Sequence, residues 1–174
     1  METLVSSLPK PMLKVLGNPS KVLIPKNNGF IVRSKFVHDT DCEVKIKIGS
    51  ISYNFKSWFL SGGTLIEDLK KDSILQYLKL RRSSSDIAII TELGGEVKAE
   101  TTIYEMVYLL EGQGRGEEGI LLNNGFANIF YVRDNAHILR SVFLIWDERG
   151  WFIDAHSIMD AHRGSCGCLV FSRV

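Results

Sequence analysis

FANIFYVRDNAHILRSVFLIWDERGWFIDAHSI, residues 126–158, holds three apolar runs separated by two clusters of turn-forming residues. Phe126–Asp134 and His137–Trp146 read as strands, Asp147–Gly150 as a hairpin loop and Trp151–Ile158 as a third strand. Each run is rich in the β-branched and aromatic residues that suit a pleated, half-buried surface. Along the middle run Val142, Leu144 and Trp146 point one way, and Phe143 and Ile145 the other. Both sides are apolar, so this strand is expected at the centre of a sheet covered on each face. A loop through Ser165 leads to a last strand, Cys166–Phe171.

Upstream of this region Asn123-Asn124-Gly125 supplies a turn, and GQGRGEEG at 112–119 reads as a flexible connector. A phosphate-cradling loop needs a strand before it and a helix after it. Here the order is reversed, and Glu117-Glu118 would repel a phosphate. Thr102-Ile-Tyr-Glu105 has capping-box spacing, and Ile103, Met106, Val107 and Leu110 form the apolar stripe of a helix that Gly112 stops. Ser85 caps a shorter helix ending at Gly94-Gly95, with a buried strand through Ile87–Ile90 as the competing reading. Thr64–Glu67 and Ser73–Gln76 repeat the capping spacing, so residues 64–82 are expected as one bent helix or two short ones.

The first sixty residues read as mainly β. Expected strands are Lys21–Ile24, Phe30–His38, Cys42–Ile48 and Ile51–Phe55, with Asn27-Asn28-Gly29 as a hairpin turn. Val44, Ile46 and Ile48 alternate with Glu43, Lys45 and Lys47, the clearest period-two signal in the chain. The fold class that results is α+β. An antiparallel twisted sheet or partly open barrel, drawn from both chain ends, packs on helices from the middle third. Residues 1–174 are expected as a single domain: an irregular arm over 1–18, β over 19–60, helical over 64–111 and β over 120–174. The expected core includes Ile31, Val44, Leu78, Ile103, Met106, Val107, Val142, Leu144, Trp146 and Val170.

Composition narrows the function classes. With 45% apolar and 24% charged residues the chain is globular rather than disordered. Lys plus Arg number 21 against 20 acidic residues, which argues against a dedicated nucleic-acid binder. The densest basic run, Lys79, Arg81 and Arg82, reads as a solvated helix end. Three cysteines, two of them only two residues apart, fit reduced thiols in the cytoplasm. Pro9, Lys10, Pro11 and Lys14 interrupt the opening segment, so no Sec signal is expected, while export by another route stays open. No stretch approaches the ~20 apolar residues of a membrane span.

Chemistry-bearing residues crowd into DAHSIMDAHRGSCGC at 154–168, which holds Asp154, His156, Asp160, His162, Cys166 and Cys168. His156, His162, Asp160 and Cys166 are candidate ligands for a divalent metal, although neither the His nor the Cys spacing matches a structural zinc site. Cys166 is also a candidate nucleophile, with His156 or His162 as base and Asp154 or Asp160 orienting it. The plainer reading puts Asp154 and His156 on the polar side of an edge strand and makes Cys168 a small buried hydrophobe. A second candidate site is aromatic. Trp146 and Trp151 flank the hairpin loop, with Tyr131 and Arg133 nearby, the residue types of binding hot spots. Its plainer reading is a cross-strand aromatic pair that stabilises the hairpin.

Two function classes follow. The first is a non-enzymatic module that binds a protein or peptide through the aromatic hairpin or an exposed strand edge, with no cofactor. The second is a small hydrolase or transferase that uses the 154–168 cluster. At Asn124–Asp134 (NGFANIFYVRD), Gly150-Trp151 and Val170–Arg173 the chain resembles uncharacterised bacterial proteins of no assigned function. The similarity reaches back through Glu92–Gly95 and Glu117–Gly119. That resemblance implies a bacterial origin and carries no fold, activity or site.

Overall fold

The computed structural model describes residues 13–15, 21–36, 44–161 and 163–174, with backbone alone for 13–15 and 163. The chain begins with β1 (Leu13–Val15), β2 (Lys21–Ile24) and β3 (Phe30–Ile31), then a 3-10 turn over Val32–Lys35. β4 (Ile48–Ile51) precedes α1 (Tyr53–Phe55), which widens into a π turn over Lys56–Leu60. β5 (Ile66–Glu67), β6 (Ser73–Leu80) and β7 (Ser84–Ser85) lead to α2 (Asp86–Leu93) and α3 (Glu96–Ala99). β8 (Glu100–Thr101) and α4 (Ile103–Gly112) follow. The chain finishes with β9 (Asn128–Arg133), β10 (Leu139–Asp147), β11 (Gly150–Ser157), β12 (Arg163–Gly164) and β13 (Leu169–Arg173).

Nine strands share one large, mostly antiparallel sheet, in the order β1-β6-β13-β9-β10-β11-β4. β2 joins β1 on the outer side of β6, and β8 lies beside β13 against β9. Both chain ends enter this sheet, since β4 adds in parallel to β11 and β13 sits between β6 and β9. Among the described residues the strand path does not return on itself. The sheet is therefore open and the barrel alternative falls.

The meander β9–β10–β11 forms as its apolar runs predict. Trp146 faces Trp151 and Asp147 faces Gly150 across a two-residue loop. Gly150 has φ 127°, and a Cβ there would meet the Lys47 carbonyl at 2.5 Å, so glycine lets the incoming β4 segment pass close. β10 is covered on both faces. Val142 and Leu144 join the core cluster formed with Ile103, Met106, Val107 and Leu110 of α4. Leu139 and Phe143 join the one formed with Ile89 and Ile90 of α2. Helix starts follow local chemistry. Ser85 Oγ accepts the Ala88 N–H at 3.4 Å, and Gly94 closes α2 in the left-handed conformation, which removes the strand alternative. The Thr102/Glu105 capping box is present at the head of α4.

Residues 64–82 are not helical. Their capping spacing yields to β6, whose Leu75 packs on the α4 side and Leu80 on the α2 side. β13 binds one edge of β6 and β1 with β2 the other, pairings no local propensity can signal. The basic run Lys79, Arg81 and Arg82 therefore lies at a strand end and is exposed. Further corrections fall in the first third. Of the strand expected at 42–48, residues 42–43 lie outside the described residues and 44–47 are not strand, so β4 starts at Ile48 while Lys47 donates its N–H to the Gly114 carbonyl at 2.8 Å. The run from Phe30 stops after two residues, and Ile31 is 44% exposed rather than core. Ser52 Oγ caps a helical turn at Tyr53–Phe55 where a strand was expected. Of the arm at 1–18, residues 13–15 form β1 and the rest lie outside the described residues. No described helix is long and apolar enough to cross a membrane.

Candidate functional site

Side chains alternate along β11, so Asp154 and His156 emerge on the α2 face, opposite Phe143 and Ser141 of β10. His156 Nε2 lies 2.9 Å from Asp154 Oδ2, and Asp154 Oδ1 accepts the Ala155 N–H at 2.8 Å. The imidazole also rests against the Phe143 ring, with centroids 5.3 Å apart. Carboxylate and ring together fix the direction of the histidine.

This pair forms the polar wall of a cavity of about 350 Å³. The rest is mainly apolar: Phe126, Ala127, Ile129, Phe143, Ile145 and Cys168. Gly164 and Ser165 close one side. A Cβ on Gly164 would press on the Leu80 and Ile129 terminal methyls at 2.8 Å and 3.0 Å, so glycine lets β12 lie close over the sheet without displacing them.

Beneath α2 a buried polar line continues from the cavity. Tyr131, Ser141 and His156 are register neighbours across β9, β10 and β11. Asp86 accepts the Tyr131 hydroxyl at 2.8 Å and the Ser141 hydroxyl at 3.1 Å. Burial, then the Asp86 charge, pushes the Tyr131 phenol well above its usual range, so it stays protonated and donates.

The remaining candidates of the 154–168 run scatter. Cys166 is exposed, donates its thiol to the Arg81 carbonyl at 3.2 Å and lies outside the cavity lining. Asp160 is exposed and accepts the Ser157 N–H at 3.2 Å, and His162 lies outside the described residues. Among the described residues no three His, Cys, Asp or Glu side chains gather where a metal ion could be held. Cys168, read from the sequence as a small hydrophobe, is buried and is the thiol that lines the cavity.

Of the four aromatic-site candidates only Trp146 and Trp151 meet. Trp151 is fully enclosed on the α4 face and donates Nε1–H to the Gln113 carbonyl at 3.0 Å. Tyr131 is enclosed on the opposite face. Arg133 sits at the far end of the meander, bound to Glu96 at 3.0 Å, Glu100 at 2.9 Å and the His137 carbonyl at 3.0 Å. Trp146, half-buried, packs edge-on to Trp151 at 5.3 Å, which is the cross-strand pairing of the plainer reading.

Reasoning from sequence missed Phe126, Phe143 and Ile145 as cavity walls. The signal that finds Phe143 and Ile145 is the β10–β11 register counted back from the hairpin loop, which sets Phe143 opposite Asp154; Phe126 precedes β9 and lies outside that register. Comparison of the chain with protein-family models, with curated proteins and with solved structures finds no match. The chain is thus a mixed α/β protein built on a large, mostly antiparallel open sheet, with a largely apolar cavity walled on one side by an Asp–His pair.

Proposed function

We propose that the protein is a non-enzymatic binding module that seats an apolar anchor in the Asp154/His156 cavity. The anchor belongs to a protein or peptide partner and carries one hydrogen-bonding group. One observation carries this reading: an oriented Asp–His pair at 2.9 Å forms the polar wall of a largely apolar recess. Small-ligand and side-chain pockets of roughly 300–1,000 Å³ share that pattern of apolar lining and few polar groups. Phe126, 43% exposed at the rim, gives an arriving partner an aromatic surface. A cytoplasmic setting belongs to the same proposal, since Cys166 and Cys168 are free thiols.

Titration of the labelled protein with indole and 4-methylphenol, followed by amide NMR, tests the reading. Shifts should concentrate at Phe126, Ile145, Asp154 and Cys168, and Ile145→Trp, which fills the recess, should abolish them. Perturbations that persist in Ile145→Trp, or that fall elsewhere on the sheet, would remove this assignment.

A hydrolase or transferase is the second reading, favoured by Ser165 and Cys168 lining the same cavity as the oriented His156. Fluorophosphonate and iodoacetamide labelling, read by peptide mass spectrometry, should then modify Ser165 or Cys168 in a His156-dependent way. Absence of such labelling retires the enzyme.

A further inference from the structure

Asp154 is the only acidic side chain among the described lining residues of the cavity, and no lysine or arginine stands beside it there. Among the described residues its ion-pair partner is His156 alone. The Asp154 side chain is 21% exposed, so much of its charge is held away from water. At such a site an incoming cation is attracted more strongly than at an open surface, and an anion is repelled by the same carboxylate.

Each carboxylate oxygen is half used. Oδ1 accepts the Ala155 N–H at 2.8 Å and Oδ2 the His156 Nε2–H at 2.9 Å. A carboxylate oxygen has two lone pairs, so, counting the described residues, one acceptor position per oxygen remains. A guanidinium presents two parallel N–H groups that match such a pair, whereas an ammonium is a point donor. The approach suits the rest of an arginine. Ala127 and Ile145 give its methylene stem an apolar path. At the rim the Phe126 ring lies against Gly167, where a Cβ would meet it at 3.0 Å, and stays 43% exposed. An exposed aromatic ring attracts a guanidinium on its way in.

We propose that the cavity receives an arginine side chain of a protein or peptide partner, with its guanidinium forked onto Asp154. The inference rests on the cavity reading above and narrows it. The stem is the apolar part of the anchor, and the guanidinium is its hydrogen-bonding group. Arginine fits this recess better than lysine for a second reason. Its guanidinium is more weakly hydrated than an ammonium, so it loses less on leaving water.

Butylguanidine, its neutral isostere butylurea, and butylamine test the assignment. Each is titrated into the labelled full chain at constant ionic strength and followed by amide NMR. Butylguanidine should perturb Phe126, Ile145 and Asp154, and bind on the order of tenfold more tightly than butylurea. Butylamine should fall between them, and Asp154→Asn should erase the preference for the guanidine. Equal binding of butylguanidine and butylurea, or a preference that survives Asp154→Asn, would overturn the arginine assignment and leave the cavity reading standing. Butylamine binding as tightly as butylguanidine would overturn it in favour of lysine. Shifts from indole and 4-methylphenol with none from butylguanidine would overturn the arginine alone, whereas no shift from any probe would overturn the cavity reading with it. If Asp154→Asn does not fold, the wild-type comparison of butylguanidine with butylurea decides alone.

Discussion

Tyr131 Oη and Asp86 Oδ1 meet at 2.8 Å between β9 and α2, both residues closed off from solvent. The bond spans two elements that share no sequence neighbourhood, and it supplies a buried acid with a donor. Tyr131→Phe keeps the ring and removes the donor, so it should destabilise the fold by about 1–3 kcal/mol. Urea unfolding should show a lower midpoint with an unchanged slope. Ser141→Ala, which removes the longer bond, should cost less.

Gly116 has φ 77°, and a Cβ there would overlap the six-membered ring of Trp146. Gly125 has φ 85° with open space around it. Gly125→Ala should therefore show backbone strain alone, about 1 kcal/mol. Gly116→Ala should cost more, roughly 2–4 kcal/mol in all, and displace the indole. A red-shifted tryptophan emission in Gly116→Ala, absent from Gly125→Ala, is the expected signature.

Trp151 and Arg133 should separate in the same way. Trp151→Phe strands the Gln113 carbonyl and opens space in a full core, a loss of about 2–4 kcal/mol. Arg133→Ala removes partly exposed ion pairs to Glu96 and Glu100, which at such sites are worth about 0–1 kcal/mol each. Thermal unfolding of the two variants should differ accordingly. Near-equal losses would contradict the burial assigned to Trp151.

Stability against pH should have two limbs of opposite sign. Burial raises the Asp134 carboxyl, but the Ile138 amide, the Arg140 guanidinium and the Ala136 amide outweigh it and hold the carboxyl below its ordinary 3.8. Its contribution is therefore present above 3.8 and lost as pH falls through the lower folded value. Asp134→Asn should flatten the acid limb below pH 4. Glu67 is raised, so its contribution is fully present below 4.5 and declines as pH rises toward about 7. Glu67→Gln should flatten that upper limb. Denaturant titrations from pH 2 to 8 resolve both.

The elements legible in the sequence are those that carry their own chemistry. α4 has its capping box, α2 its serine and glycine ends, and the meander its three apolar runs. β6 was not legible. Ser73-Ile-Leu-Gln76 has helix-start spacing, and only β13 and β2, distant in the chain, make the segment a strand. Half of the site was legible too. Alternation placed Asp154 and His156 on one face, whereas the cavity depends on how β12 crosses the sheet at Gly164. The choice between the two thiols also turned on geometry. Gly167, at φ 100°, turns the chain so that Cys168 points inward and Cys166 toward Arg81.

The parallel junction of β4 with β11 sets Ile48 beside Trp151, and β6 likewise waits for β13, with Leu78 beside Val170. A nascent chain that has emerged only as far as α4 has neither seam to close. Such distant pairings slow folding and demand most of the polypeptide before they reward it. Assembly of this sheet therefore waits until β13 has emerged, and a chain stalled after α4 presents bare strand edges to whatever it meets first.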